Sequence, residues 1–170
     1  MKKGILGSYN INKSIQKEIG RDKELLKKND DIRIYENDIV IQTKNNYKLG
    51  VINGDIGKII GMEIEGKKKS IIVNINGQDF SYEGKDIFDF DPAYALTIHR
   101  SQGSEYNNVI MPISHFHEFM LDPKLLYTAV TRAKNKVTLI GNKKSFIRGL
   151  ESNWKYSRLT FLKNRIREYL

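Results

Sequence analysis

Along this chain the spacing of apolar positions changes twice, and each change marks a new kind of element. Ile11, Ile15 and Ile19 recur every fourth residue, a helical spacing, and Gly20 supplies a stop. A lysine-rich connector follows, from Arg21 to Asp31. From Ile32 to Asp86 the pattern turns strand-like. IRIY, DIVIQT, GKIIGMEIE, SIIVNI and QDFSYE are short β-branched runs separated by turn residues. Asn76-Gly77 stands between two of them, and both residues tolerate the positive φ of a type I′ turn, so a hairpin is predicted there. GMEIEGKKKS reads as a second, looser hairpin with a charged tip. Roughly five strands in about 55 residues predict a small β-barrel of SH3-like or OB-like size, inserted into a larger fold.

After Asp91-Pro92 the pattern changes again. NNVIMPIS reads as a buried strand. Asp122-Pro123 offers an N-cap acceptor followed by proline at the first helical position, and the helix is expected to run to about Lys134. NKVTLIG is a further strand, which makes a β-α-β order, the unit of a parallel sheet. Asn142 is placed to cap a short helix through Phe146 and Leu150. Ser157 is placed to cap a last one with Leu159, Leu162, Ile166 and Tyr169 on one stripe. The expected fold class is α/β, with a small β module interrupting it.

At 170 residues the chain has room for one domain, or one domain carrying such a module. The absence of cysteine excludes disulfide frameworks and thiolate metal sites. No apolar run reaches the roughly 18 residues of a membrane span, and the first residues lack the apolar core of a signal peptide. A cytoplasmic location, with no membrane partner, is therefore expected. The net charge of +9 is unevenly placed: residues 31–133 hold 11 Lys/Arg against 14 Asp/Glu, whereas residues 134–170 hold 10 against two. A basic tail on a near-neutral body is what polyanion binding requires, and also what a solvated, solubility-promoting surface looks like.

Two segments concentrate chemistry. Thr97-Ile98-His99-Arg100-Ser101-Gln102-Gly103-Ser104-Glu105 packs hydroxyls, an imidazole, a guanidinium and an amide around a glycine, then ends on a carboxylate. These groups suit phosphate oxygens, with the carboxylate able to accept from a ribose hydroxyl, although a plain polar loop has the same composition. In Leu125-Leu126-Tyr127-Thr128-Ala129-Val130-Thr131-Arg132-Ala133-Lys134, Arg132 falls near the end of an amphipathic helix. An arginine there either complements the helix C-terminus or reaches a γ-phosphate as an arginine finger. Gly61-Met62-Glu63-Ile64-Glu65-Gly66-Lys67-Lys68 has the GxxxxGK skeleton of a phosphate-binding loop, but Lys68 replaces the Ser/Thr that meets Mg²⁺ and a strand follows where a helix is required. His115, His117 and Glu118 lack a second ligand cluster and read as ordinary linker, so no metal is expected. Trp154 and Tyr156 either stack on bases or pack the tail onto the domain.

AYALTIHRSQGSEY resembles helicase motif V, and LLYTAVTRAKNKVTLIG resembles motif VI, of superfamily 1 DNA helicases in the RecD/TraA branch, the exodeoxyribonuclease V alpha-chain-like proteins. KNNYKLGVINGDIG is similar to the segment entering that branch's SH3-like insertion. KKGILGSYNINKSIQ resembles the stretch after motif IV, and SRLTFLKNRI resembles the C-terminal segment. The resemblance implies a second RecA-like domain split by an SH3-like barrel. Residues 1–31 would start that domain, 32–88 would be the insertion, and 89–170 would be the remainder with its basic tail. It implies the C-terminal part of an ATP-dependent 5′→3′ helicase of recombination, repair or conjugation. Thr97, His99, Arg100 and Ser101 would meet single-stranded DNA, Arg100 standing where many relatives have lysine. Gln102, Gly103, Glu105, Thr131 and Arg132 would lie on the nucleotide side, with Arg132 as the catalytic arginine finger. Asn45, Asn46, Tyr47, Asn53 and Gly54 match a family segment and read as structural turns. ATP and Mg²⁺ would belong to the full-length parent. None is expected on these 170 residues alone, which lack the Walker A and B motifs and are expected to be inactive by themselves. The expected partners are single-stranded DNA, an N-terminal RecA-like domain absent from this sequence, and other subunits of a RecBCD-like complex. The alternative expectation is a standalone nucleic-acid-binding or regulatory module without a motor.

Overall fold

The computed structural model describes residues 4–20, 24–27, 29, 32–66, 68–152 and 167. The chain forms two compact units, Met1–Ser101 and Gln102–Leu170.

The first unit holds helix α1 (Ser8–Glu18) and strands β1 (Glu24–Lys27), β2 (Arg33–Tyr35), β3 (Ile39–Gln42), β4 (Ile56–Glu65), β5 (Lys68–Ile75), β6 (Gln78–Glu83) and β7 (Phe90–Pro92). β1 pairs with β2, and the other five form one antiparallel sheet in the order β6-β5-β4-β3-β7. Asn76 (φ 53°) and Gly77 (φ 85°) make the expected two-residue turn, which sets Ile75 opposite Gln78. β4 and β5 make the second hairpin, with Glu65 opposite Lys68 and Gly66 at positive φ, so Gly61 and Lys68 lie on neighbouring strands. The turn between β3 and β4 closes through an Asn46–Val51 bridge, with the Asn45 side chain donating to the Tyr47 hydroxyl and accepting from the Asn53 N–H. Inside, Ile34, Val40, Ile59, Ile71, Val73, Tyr82 and Phe90 are buried together. Burying such side chains contributes roughly 1.5–3 kcal/mol each. The Tyr82 ring meets Phe90 edge-on at 4.5 Å. Burial pushes the Tyr82 hydroxyl up to about 12.

Two local expectations need correction. The connector from Arg21 to Asp31 contains β1, because Leu25 and Leu26 are buried in the barrel core while lysines flank them. Helix α1 is present and Gly20 takes positive φ just beyond it, but its buried positions are Asn12 and Gln16 rather than the isoleucines. Ile19 is exposed. The two amides are buried because Asn12 binds carbonyls of β7 and of the segment leaving it, and Gln16 binds the Arg33 carbonyl and the Asp38 carboxylate.

The second unit runs β8 (Tyr106–Ile113), a 3₁₀ helix (His115–Met120), α2 (Pro123–Val130), β9 (Ala133–Gly141) and α3 (Lys143–Glu151). β8 and β9 are parallel: Tyr106 lies opposite Ala133, the register shifts by one residue before Asn108, and it then runs unbroken to Ile113 opposite Gly141. A Cβ on Gly141 would run into the Ile113 carbonyl oxygen, so the close approach at that end requires glycine. Ile110, Leu139 and Ile140 of this two-stranded sheet are exposed. The Asp122 carboxylate accepts from the Leu125 N–H at 2.8 Å, and the Asn142 side chain accepts from the Ser145 N–H at 3.1 Å, so both expected caps form. Helix α2 ends at Val130, short of Lys134, which already lies in β9. The cause is local: the side chains of Thr131 and Arg132 donate to carbonyls of the last turn, satisfying groups that would otherwise demand another turn.

The fold is α/β: the first unit holds the five-stranded antiparallel sheet and the β1–β2 pair, and the second holds a parallel β-α-β unit. Among the described residues no helix is long and apolar enough to cross a membrane. The helix expected after Ser157, together with Trp154 and Tyr156, lies outside the described residues.

Candidate functional site

In the first unit, residues 97–101 form a tight turn. The Thr97 carbonyl accepts from the N–H groups of Arg100 (2.9 Å) and Ser101 (3.1 Å). The Ser101 hydroxyl donates to the Ile98 carbonyl at 2.9 Å. His99 is exposed. Arg100 is not: its Nη1 lies 2.7 Å from Asp91 Oδ2, with side-chain exposures of 28% and 5%. Asp91 sits in β7 opposite Ile41 of β3, so the turn is tied directly to a barrel strand.

The approach to this turn is held as firmly. Asn12 of α1 donates to the carbonyls of Pro92 (3.1 Å) and Ala95 (3.0 Å) and accepts from the Ala95 N–H (2.8 Å). The Tyr94 hydroxyl donates to Asp38 Oδ1 at 3.0 Å. Asp38 is fully buried, and its other oxygen accepts from Gln16 Nε2 at 2.6 Å and from the Tyr35 N–H at 2.9 Å. Helix, barrel and exit segment therefore share one hydrogen-bonded frame, in which buried polar groups of each find partners on the others.

In the second unit, the remaining candidates gather at one end of the β8–β9 pair, because Tyr106 and Ala133 open their strands as register partners. The Tyr106 N–H donates to the Arg132 carbonyl at 2.8 Å. The Arg132 guanidinium donates to the carbonyls of Thr128 and Ser104, each at 3.2 Å, and reaches the Thr131 hydroxyl at 3.4 Å. Among the described residues no carboxylate pairs with it. Glu105 forms an exposed pair with Lys134 at 3.2 Å. Gln102 and Gly103 are exposed, and Gly103 takes φ 84°, a conformation that suits glycine. The arrangement offers a carboxylate, a glycine turn and a guanidinium whose charge is solvated only by neutral dipoles. Such a guanidinium can meet a phosphate without first breaking an ion pair.

Elsewhere, Glu118 accepts from the Ser145 hydroxyl at 2.6 Å and from Arg148 Nη1 at 2.9 Å. The Ser145 bond, then Arg148, holds its carboxyl below its ordinary value. Burial lowers His117. Glu118 thus fastens the 3₁₀ helix to α3, and no group of metal-binding side chains occurs among the described residues. Sequence reasoning passed over Asp91, Asn12 and Asp38. Each is a lone polar residue with no periodic partner, and only the assembled barrel gives it a target.

Residues 11–75 match the family model described as the ATP-dependent RecD-like DNA helicase SH3 domain, and residues 92–140 match the UvrD-like helicase C-terminal domain. The chain is 36% identical over 105 residues to the ATP-dependent RecD2 DNA helicase of Deinococcus radiodurans, covering 62% of this chain and 14% of that protein. It is 28% identical over 163 residues to the RecBCD enzyme subunit RecD of Buchnera aphidicola subsp. Schizaphis graminum, covering 90% of this chain and 26% of that one. Its fold is similar to that of a Pif1 helicase from Bacteroides solved in complex with ADP-AlF3 and ssDNA, at a TM-score of 0.54 and 20% identity, over 81% of this chain and 34% of that chain. The chain therefore spans only 14% and 26% of the length of these two curated relatives.

Proposed function

Since this chain belongs to the RecD-like superfamily 1 helicases, matching their C-terminal region, we propose that it grips single-stranded DNA and supplies the arginine finger of an ATP-dependent motor with 5′→3′ polarity. Residues 1–31 and 89–170 act as parts of a second RecA-like domain, and residues 32–88 are its SH3-like insertion. Thr97, His99 and Ser101 face the DNA backbone. Gln102, Gly103 and Glu105 face the nucleotide, with Glu105 near the ribose, and Thr131 helps to position Arg132. ATP and Mg²⁺ are held chiefly by an N-terminal RecA-like domain with Walker A and B motifs, which acts as partner to this chain. When bound, the nucleotide supplies the energy that closes the cleft between the two domains. The setting is DNA recombination or repair in the cytoplasm, alone or beside other subunits of a RecBCD-like complex.

One observation carries this reading most directly. Arg132 sits at the same strand end as Glu105, and its charge is met only by carbonyl and hydroxyl oxygens among the described residues. A guanidinium so placed is suited to the charge that develops on a transferring phosphoryl group. The test is titration of labelled oligothymidylate at several salt concentrations, with ATP hydrolysis measured in parallel. We expect weak binding whose affinity falls steeply with salt, and no hydrolysis by the 170 residues alone. Absence of DNA binding at low salt, or clear hydrolysis by the chain alone, overturns the reading.

A further inference from the structure

The ion pair between Asp91 and Arg100 assigns a role to both residues that the motif alone does not. A cation in a loop proposed to hold DNA is expected to reach a phosphate. Here Arg100 already spends its Nη1 on a carboxylate at 2.7 Å, and that carboxylate is almost wholly buried in strand β7. Trading such a partner for a phosphate would give up a short, largely water-excluded ion pair, a costly exchange. The neighbouring bonds point the same way. The Arg100 N–H closes the turn onto Thr97, and Asn12 fixes both the Pro92 carbonyl next to Asp91 and the Ala95 amide two residues before Thr97. The turn is thus fastened to the barrel at its entry by Asn12 and near its end by Asp91.

We propose that Asp91 is a positioning residue for the DNA-gripping turn: it holds Arg100 as an internal strut, so that His99 and the Thr97 hydroxyl, and not Arg100, meet the phosphate. The proposal rests on the reading of this turn as a DNA contact, and it makes a prediction opposite in sign to simple electrostatics. Removing a negative charge near DNA should tighten binding. Removing a strut should loosen it.

The experiment compares Asp91→Asn, Arg100→Gln, Arg100→Lys and the Asp91→Asn/Arg100→Gln double variant in the 170-residue chain. Binding of fluorescein-labelled oligothymidylate is measured against salt, and amide hydrogen exchange is measured without DNA. Asp91→Asn and Arg100→Gln are each expected to weaken binding by about tenfold, and the double variant no further, as coupled residues do. The salt dependence should keep its slope in Arg100→Gln, because a lost phosphate contact would flatten the log–log slope by about 0.7 for a single strand. Arg100→Lys should rescue only in part, since an ammonium cannot reproduce the planar fork. Without DNA, exchange at residues 97–101 should rise at least about tenfold in Asp91→Asn while β8 and β9 stay protected. Tighter binding by Asp91→Asn, or a flatter slope in Arg100→Gln, overturns the strut. If the unmodified chain binds no DNA, the reading of the turn fails, and hydrogen exchange still decides the strut: unchanged exchange in Asp91→Asn overturns it.

Discussion

Arg100 and Arg132 carry the same guanidinium in the two units of the chain, yet their surroundings treat the charge in opposite ways. In the first unit Arg100 is neutralised by a buried carboxylate on a barrel strand. In the second unit Arg132 is held, among the described residues, by the carbonyls of Thr128 and Ser104 and the hydroxyl of Thr131. A charge-assisted pair in a dry setting fixes a side chain and cancels its field. Bonds to neutral dipoles fix it while leaving the field for an incoming anion. Position along a motif does not tell these cases apart. Whether a carboxylate is within reach does.

The contrast is most exposed to test at Arg132. Arg132→Ala, in the chain joined to a phosphate-binding domain, is expected to slow ATP hydrolysis by about 10³–10⁵ while the melting temperature shifts by less than about 2 °C. A large thermal loss with little kinetic loss would make Arg132 a helix cap and nothing more. Next in size is Asp91→Ala, which leaves Arg100, only 28% exposed, without its partner. Urea unfolding of the first unit should report a loss of about 2–4 kcal/mol, the scale of a broken pair with one buried member. A smaller response is expected from acid. Glu118 has its folded value lowered by Ser145 and then Arg148, so its contribution is complete above the ordinary value of about 4.5 and is lost as pH falls through the lowered value. Glu118→Gln should flatten the acid limb of the second unit's stability, and an unchanged limb would contradict that linkage. Last is Lys134→Ala. Its pair with Glu105 is 56% and 61% exposed, so thermal unfolding should register less than about 0.5 kcal/mol. If Lys134→Ala costs as much as Asp91→Ala, burial is not what separates the two regions.

The parts legible in the sequence are those written in local chemistry. Asn76-Gly77 could only turn one way, and Asp122-Pro123 and Asn142 announced their helix starts before any tertiary contact was known. The alternating runs from Ile32 to Glu83 likewise became strands, because a half-buried pleat selects that period. What stayed hidden was polar and non-local. The isoleucine spacing of α1 suggested an apolar seam, whereas the helix buries Asn12 against backbone groups far along the chain and Gln16 against the Asp38 carboxylate. Leu25 and Leu26 form a strand that two residues among lysines cannot advertise. Of the site, the motif residues were readable as a list. Their division into an internally paired turn and an uncompensated arginine depends on Asp91, whose target appears only when β7 pairs with β3.

The bonds between Asn12 and Ala95 also set an order of events during folding. They join residues 83 apart, and closing a chain segment that long carries an entropic cost that short hairpins avoid. The β4-β5-β6 meander, with its two-residue turn, can assemble early from local contacts, and the Asn12 bonds can form only once β7 has brought Pro92 and Ala95 alongside α1. Truncating Asn12 should therefore quicken unfolding far more than it slows refolding. The same late closure completes the hydrogen-bonded frame around residues 97–101, so the geometry on which the proposed DNA contact rests is set only in the last step.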